Sequence, residues 1–333
     1  MKRTTIQDVA QAAGVSITTV SRVINNNYPV KASTRKKVEE AVDTLKFKPN
    51  LLARSLIQNS TKTVGILTPS IENLFFSEVI KGVDSILKEK GYTTFLCHTE
   101  GEATNEVEVI HSLVDRRVDG MVVLDPRKEN VVSGYFEELA KRVPLLLVNG
   151  YAQGTGCSYV LNDGEGGARM ALKYLITEGC KRIVFLRGKK SHSYDIKEEV
   201  YLEFMKAHGM ESRILRIKDG NDIKTVEQAK EAVADYIRSG EKPDALLACN
   251  DWMAVGALSG AKSEGLLVPK DMRIIGFDNT IISMITEPKL STVDQQMTKL
   301  GQLAGNRIYK MMTTKDIENQ KTYLETRLMI RES

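Results

Sequence analysis

Apolar residues recur at helical spacing three times near the start of the chain, and then the pattern changes. Ile6, Val9, Ala10 and Ala13 share one face of a short helix. Thr5 before it and Asp8 three residues on come close to a capping box, and Gly14 supplies the stop. Ser16 caps a second helix that turns Val20, Val23 and Ile24 inward and closes at Asn25-Asn26-Asn27. Ser33 is the expected cap of a third helix, with Val38, Ala41, Val42 and Leu45 as its buried face. From Thr63 onward short apolar runs alternate with longer amphipathic stretches. The runs are 63–68, 94–97, 120–124, 144–148, 159–161, 182–186, 213–217, 245–249 and 273–277, with further candidates near Leu290 and Leu324. Helical stretches such as 76–90 and 166–178 lie between them. Near-continuous apolar strands separated by helices predict an α/β fold with parallel sheets covered on both faces. Nine or more strands exceed one ordinary sheet and predict two lobes.

The front module has its own chemistry. Helix, glycine turn, helix is the helix-turn-helix plan. Ala10 and Ala13 are small enough for two helices to approach closely, and the outward N-terminal positions of the second helix are Ile17, Thr18 and Arg22. An Arg22 guanidinium suits the paired acceptors of guanine, a contact worth ~1–3 kcal/mol of discrimination. Ile17 and Thr18 offer apolar contact to thymine methyls. Ser16, Thr19, Ser21 and Asn25 suit phosphates, which set register rather than sequence. Without further information the same three helices also fit a plain bundle with a solvated Arg22.

Charge changes the balance between those two. The chain of 333 residues carries a net +4. Residues 1–60 hold ten Lys/Arg against four Asp/Glu, while the rest holds 37 against 39. A basic module on a near-neutral body is the footprint of a nucleic-acid binder. Cys97, Cys157, Cys180 and Cys249 are scattered and do not cluster with the four histidines, so they read as buried small side chains, and no metal or other cofactor is expected. No run of ~18 apolar residues predicts a membrane helix, and the N-terminus lacks the apolar stretch of a secretory signal, so a cytoplasmic location is expected. That also counts against an exported solute-binding protein. No nucleophile triad, Walker-type loop or metal spacing is present, and a binding protein rather than an enzyme is expected.

The stretch Thr5-Ile6-Gln7-Asp8-Val9-Ala10, then Ala13-Gly14-Val15-Ser16, then Thr19-Val20-Ser21-Arg22-Val23-Ile24-Asn25 closely resembles the headpiece of the lactose-repressor (LacI/GalR) family. Thr34-Arg35-Lys36-Lys37-Val38, Lys48-Pro49-Asn50 and Ala53-Arg54-Ser55-Leu56 resemble it too. The resemblance implies an effector-controlled transcriptional regulator, acting as a repressor, that binds a pseudo-palindromic operator as a homodimer. Thr5, Ser16, Ile17, Thr18, Thr19, Ser21, Arg22 and Asn25 are then the DNA-contacting set. Residues 1–48 form the headpiece and 49–61 the hinge and linker. In the hinge, Asn50 is an N-cap, Ala53 permits close helix approach across a dimer axis, and Leu56 is the wedge that kinks the duplex from the minor groove. Without the resemblance this segment reads as a linker with an exposed leucine.

The resemblance continues over residues 62–333 and implies a type I periplasmic-binding-protein-like core of two lobes joined by three crossovers. The crossings are expected near 160–162, 290–292 and 319–322. That gives an N-lobe of about 62–160 and 292–320, and a C-lobe of about 161–291 and 321–333. Ligands of open α/β sheets bind outside the carboxyl ends of strands. The polar residues at those ends are Ser70 and Asn73, Asp125, Asn149, Asn162-Asp163, Asn250-Asp251 and Asp278-Asn279. Carboxylates and amides there suit a hydroxyl-rich small molecule, a sugar or sugar derivative. Phe75, Phe76 and Trp252 are aromatic candidates for its apolar face, though each also fits an ordinary core position. The effector set is therefore Asn73, Phe75, Phe76, Asp125, Asn149, Asn162, Asn250, Trp252 and Asp278, of which Asp278, in Gly276-Phe277-Asp278-Asn279-Thr280, matches the family's ligand-binding aspartate best.

One departure stands out. Sugar-binding members carry Arg in an Arg-x-x-Gly-Phe segment, and Val200-Tyr201-Leu202-Glu203-Phe204 is the segment set against it here. The guanidinium fork is absent there, with Lys189, Lys190, His192, Tyr194 or Lys197 as candidate substitutes. The alternative to a small effector is control by a phosphorylated carrier protein on the core surface, as in catabolite-control members. No heptad tail follows, which favours a dimer over a tetramer.

Overall fold

The computed structural model describes residues 4–25, 28–47, 60–189, 191–218, 220–314 and 318–333. Asn50, Ala53 and Leu56, the expected hinge residues, lie outside them. The chain divides into two compact units, Met1–Thr61 and Lys62–Ser333.

In the first unit, α1 (Ile6–Ala13) begins at a closed capping box. The Asp8 backbone N–H donates to Thr5 Oγ1 at 3.4 Å, and the Thr5 N–H donates to Asp8 Oδ2 at 2.8 Å. Gly14 ends the helix with φ 64°, a left-handed angle that costs glycine least. In α2 (Ile17–Asn25), Ser16 Oγ accepts the Thr19 N–H at 3.1 Å. The third helix differs from expectation at its start. α3 (Ala32–Thr44) begins before Ser33, and Lys31, not Ser33, is the N-cap. The Lys31 carbonyl already receives the N–H groups of Thr34 and Arg35, both at 2.9 Å, so the first turn closes on backbone alone. Val9, Ala10, Ala13, Val20, Val23, Val38 and Ala41 form the small core of this unit.

The second unit contains two six-stranded sheets. Its elements are β1 (Thr63–Thr68), α4 (Leu74–Glu89), β2 (Thr93–His98), α5 (Ala103–Asp115), β3 (Gly120–Leu124), α6 (Lys128–Val132), α7 (Tyr135–Ala140), β4 (Leu145–Val148), β5 (Ser158–Asn162), α8 (Gly164–Thr177), β6 (Ile183–Arg187), α9 (His192–Ala207), β7 (Arg213–Arg216), α10 (Lys224–Arg238), β8 (Ala245–Ala248), α11 (Asp251–Ser263), β9 (Arg273–Asp278), α12 (Ile282–Ile285), β10 (Ser291–Asp294), α13 (Met297–Thr313), β11 (Lys321–Leu324) and β12 (Arg327–Met329). The N-lobe sheet runs β11-β5-β4-β3-β1-β2, and the C-lobe sheet runs β12-β10-β9-β8-β6-β7. All pairings are parallel except β10 with β12.

The apolar runs follow from this layering. Strand residues alternate between faces, and both faces are covered. In β3, Val122 and Leu124 join the core beneath α4 and α13, while Met121 and Val123 join the core beneath α5 and α7. In the C-lobe, α8 packs with α9 and α10 with α11 around one continuous core.

Each crossover falls at the end of a strand, later than expected. Leu161 and Asn162 stay in β5, so the first crossing is at Asp163. Ser291–Asp294 pairs with Ile275–Asp278 in the C-lobe sheet, so the second is at Gln295. Lys321–Leu324 pairs in register with Tyr159–Asn162, so residues 321–324 belong to the N-lobe rather than the C-lobe, and the third is at Glu325–Thr326. A strand keeps its ladder until its last hydrogen bond is made, and only then does the chain leave the sheet.

Candidate functional site

The helix-turn-helix exposes the face that its pattern predicts. Ile17 is 45% exposed, and Ser16, Thr18 and Arg22 are exposed beside it. The Ser16 and Thr19 hydroxyls lie 2.9 Å apart, and Asn25 Nδ2 donates to Ser21 Oγ at 3.2 Å. Thr5 is exposed at the head of α1, held by its cap. Arg22 also lies 5.1 Å over the ring of Tyr28, an exposed aromatic that the pattern did not single out. A guanidinium resting on an aromatic face is held extended while its N–H edge stays open.

In the core unit, the carboxyl ends of the strands of both sheets meet at a cleft. From the N-lobe, Asn73 serves two purposes. Its Oδ1 accepts the Phe75 N–H at 2.9 Å and so caps α4, while its Nδ2 donates to Asn221 Oδ1 at 2.8 Å. Phe75 and Phe76, edge-to-face at 5.3 Å, line the cleft and also belong to the N-lobe core. Asp125 follows β3 with φ 52°, and Asn149 follows β4 with φ 55°. Neither backbone suits most side chains, but Asn and Asp tolerate this region best. Gly150 is required beside them, since a Cβ there would lie 2.7 Å from Asp125 Oδ1. Burial pushes the Asp125 carboxyl up to about 6, against the pull of Arg127 and Lys197.

From the C-lobe, Asn250 caps α11 by accepting the Met253 N–H at 2.9 Å. Its Nδ2 donates to Gly220 O at 2.6 Å and meets the Tyr194 hydroxyl at 3.2 Å. That hydroxyl in turn donates to Gly220 O and Asn221 Oδ1. Asp278 ends β9 at φ 112°, buried, with one oxygen accepting from Gln295 Nε2 at 2.5 Å. Burial holds its carboxyl well above the ordinary range. Beside it Asp251 is fully committed, accepting from the Thr280 N–H, Thr280 Oγ1 and Thr292 Oγ1 at 2.6–2.8 Å, which ties β9, β10 and α11 together.

Two expected residues fall elsewhere. Asn162 exchanges hydrogen bonds with Asn149 at 2.9 and 3.0 Å and donates to Gln295 O at 2.7 Å. It therefore braces two crossovers and lines an adjoining chamber rather than the central cavity. Trp252 does not line the cleft. Asn250 and Asp251 face inward, and at 100° per residue the next position of α11 is carried round the helix.

The segment beginning three residues earlier, Lys197-Glu198-Glu199-Val200-Tyr201, also has the Arg-x-x-Gly-Phe spacing, with Lys197 at its first position, Val200 at its fourth and an aromatic at its fifth. Lys197, Val200 and Tyr201 share one face of α9, all buried against the C-lobe. Lys197 Nζ donates to Cys249 O at 2.9 Å and sits 3.7 Å over the Phe277 ring. Desolvation lowers its pKa, and neighbouring acidic groups oppose the shift. Of the five candidate substitutes, Lys197 and Tyr194 line the central cavity, Lys189 and His192 line neighbouring chambers, and Lys190 lies outside the described residues. Asn221 and Gln295 carried no local signal, because nothing in the pattern places a loop residue or a crossover residue across from distant strand ends. Cys157, Cys180 and Cys249 are buried, and Cys97 is half-buried. Among the described residues no cluster of three or more His, Cys, Asp or Glu is placed to hold a metal, and no helix is long and apolar enough to cross a membrane.

Comparison with known proteins agrees with this geometry. Residues 5–50 match the model of bacterial regulatory proteins of the lacI family, and residues 172–333 match that of a periplasmic binding protein-like domain. The chain is 34% identical to catabolite control protein A of Priestia megaterium, over 99% of this chain and 98% of that one. It is 33% identical to the HTH-type transcriptional repressor PurR of Vibrio atlanticus, over 95% and 94%. Among solved structures it superposes on a lac repressor dimer bound to operator and the anti-inducer ONPF with TM-score 0.91, at 26% identity and 99% coverage of both chains. A complex of the transcriptional regulator CelR with cellobiose gives TM-score 0.71, at 27% identity over 99% and 100%. A helix-turn-helix with its reading face exposed, joined to a two-lobed core of this topology and matched over its full length, places the chain in the lacI family of bacterial transcriptional regulators.

Proposed function

We propose that this regulator is a cytoplasmic repressor, acting as a homodimer on a pseudo-palindromic operator, whose grip on DNA is set by a carbohydrate-like effector in the inter-lobe cleft. The observation that carries this is the convergence of hydrogen-bonding side chains from both lobes on one cavity: Asn73, Asp125 and Asn149 from one, Tyr194, Asn250 and Asp278 from the other. A molecule bridging them has a different affinity for each relative arrangement of the lobes. By linkage it shifts the population of the arrangement that binds DNA. Amide and carboxylate groups suit vicinal hydroxyls, and Phe75 and Phe76 supply an apolar wall. The DNA-reading residues are Ile17, Thr18 and Arg22, with Thr5, Ser16, Thr19, Ser21 and Asn25 toward the backbone.

The test has two stages. Genomic fragments are first selected on the purified protein, which yields the operator as the fragment held far above random duplex. Sugars and sugar derivatives are then screened for a change in operator affinity. Asp278→Ala is expected to abolish that response while retaining operator binding. A response that survives Asp278→Ala, or one produced only by a phosphorylated carrier protein, would refute the cleft as the control site.

A further inference from the structure

The central cavity is narrow, ≈ 50 Å³, and its polar groups are unevenly satisfied. Asn73, Asn149, Tyr194 and Asn250 all have partners. Asp125 has none: its carboxylate opens into the cleft, and among the described residues no side chain donates to it or pairs with it within 4.0 Å. Asp278 has one oxygen bound by Gln295 and the other without a donor. Lys197, the only cation among the described lining residues, donates to the Cys249 carbonyl, lies over the Phe277 ring and forms no ion pair within 4.0 Å with either aspartate. The unmet need of the cavity is therefore for a donor facing Asp125.

Two of the three adjoining chambers carry charge of the same sign. Toward the crossovers, Asp163 and Glu165 line a chamber of ≈ 240 Å³ with no Lys or Arg among its described lining residues. At the mouth, among the described residues, four carboxylates besides Asp125 (Glu72, Glu100, Glu102 and Asp222) stand against Arg127, Lys189 and Lys218. A side chamber on the Arg127 flank is balanced, three against three. Among the described residues the cleft is thus net acidic, in a chain whose net charge is +4. Low local dielectric magnifies such an imbalance, so a phosphate or carboxylate entering here meets the unpaired Asp125 carboxylate.

We infer that the effector of this cleft is a hydroxylated amine, an amino sugar or its close chemical kin, whose ammonium group pairs with Asp125 while its hydroxyls bond Asp278 and Asn250. This rests on the cleft being the effector site. It separates the ligand from phosphorylated and acidic sugars, for which an acidic lining is the wrong complement.

The test titrates the full chain by calorimetry with matched sets of one skeleton: glucose, glucosamine, glucose 6-phosphate and gluconate, and the corresponding forms of galactose and mannose. The amine member of at least one set is expected to bind ten-fold or more tightly than its hydroxyl counterpart, with the phosphate and acid members weakest. Asp125→Asn is expected to bring the amine and hydroxyl members to equal affinity. A second readout needs no variant. Between pH 7 and pH 5 the amine stays protonated, so its advantage over the neutral sugar should shrink as Asp125 takes up a proton. Tightest binding by a neutral or anionic member, or no binding by any amine, would overturn the inference. Neutral-sugar binding that Asp278→Ala abolishes would leave the cleft as the effector site and remove only its charge class. Binding that survives Asp278→Ala would remove the cleft assignment itself.

Discussion

Single residues in this chain often serve structure and ligand at once, and that limits what composition reveals. Asn73 and Asn250 are helix caps by one atom and cleft donors by another. A reader of turn chemistry and a reader of ligand chemistry would both select them, each correctly. Glu106 carries neither signal, since an acid in the first turn of an amphipathic helix is ordinary. It is nonetheless buried in α5, accepting from Asn130 Nδ2 at 2.7 Å and from the Arg127 N–H. Desolvation outweighs those bonds and pushes its carboxyl up to about 7. An acid whose folded-state pKa is raised favours folding at low pH, and that contribution is lost as pH rises from the ordinary carboxyl range through the raised value. A shift of this size corresponds to a loss on the order of 3 kcal/mol by pH 8. Wild-type stability in urea should therefore fall between pH 5 and pH 8, and Glu106→Gln should flatten that slope. An equally steep decline in the variant would show that other groups set it.

Helices α4 and α13 show how an element is positioned by what it lacks. Gly82 and Gly301 meet at their crossing, where a Cβ on Gly301 would fall 2.0 Å from the Val79 carbonyl oxygen and one on Gly82 would fall 2.3 Å from that of Thr298. Backbone lies against backbone, so no rotamer change can relieve the clash. Gly301→Val should cost ~1–3 kcal/mol or more, as overpacking does. Gly91 offers the control: it has open space, so the cost of a substitution there comes only from its φ of 75°. Equal thermal melts for Gly301→Val and wild type would contradict the close crossing. The same scale explains the crossovers. Apolar periodicity locates β5, β10 and β11 but not which sheet receives them. The four residues 321–324 read alike whether they pair with Tyr159–Asn162 or with the other lobe, and only the parallel ladder assigns them.

Across the whole core unit, the lobes are held by a few direct bonds at the cleft. Ser70 Oγ donates to Asn221 O at 3.2 Å, and Asn73 binds the Asn221 side chain. Tyr151 donates to Asp195 Oδ2 at 3.2 Å and lies 4.2 Å from the His192 ring. A neutral bond is worth ~0.5–1.5 kcal/mol and one to a charged carboxylate ~1.5–3 kcal/mol, so losing two or three moves an open–closed balance by roughly ten-fold or more. Spin labels placed one in each lobe should report a longer distance in the double variant Tyr151→Phe, Asn221→Ala. An unchanged distance distribution would show that these contacts do not hold the closed arrangement.

What the sequence determined by itself was everything written in local period and local chemistry. The helix stripes and caps of the front module, its surplus of positive charge, the alternation of apolar runs with helices, and the polar residues at strand ends all belong to this class. Each depends on neighbours within a turn or a strand, so each is legible in one dimension. Only the tertiary structure decided which side chains stand across the cleft from one another. It turned Trp252 away, brought Asn221 and Gln295 in from loops, and set Lys197 over Phe277 beside two aspartates. Those relations join residues far apart in the chain through the packing of two sheets, and the sum of their charges exists only once the lobes have met.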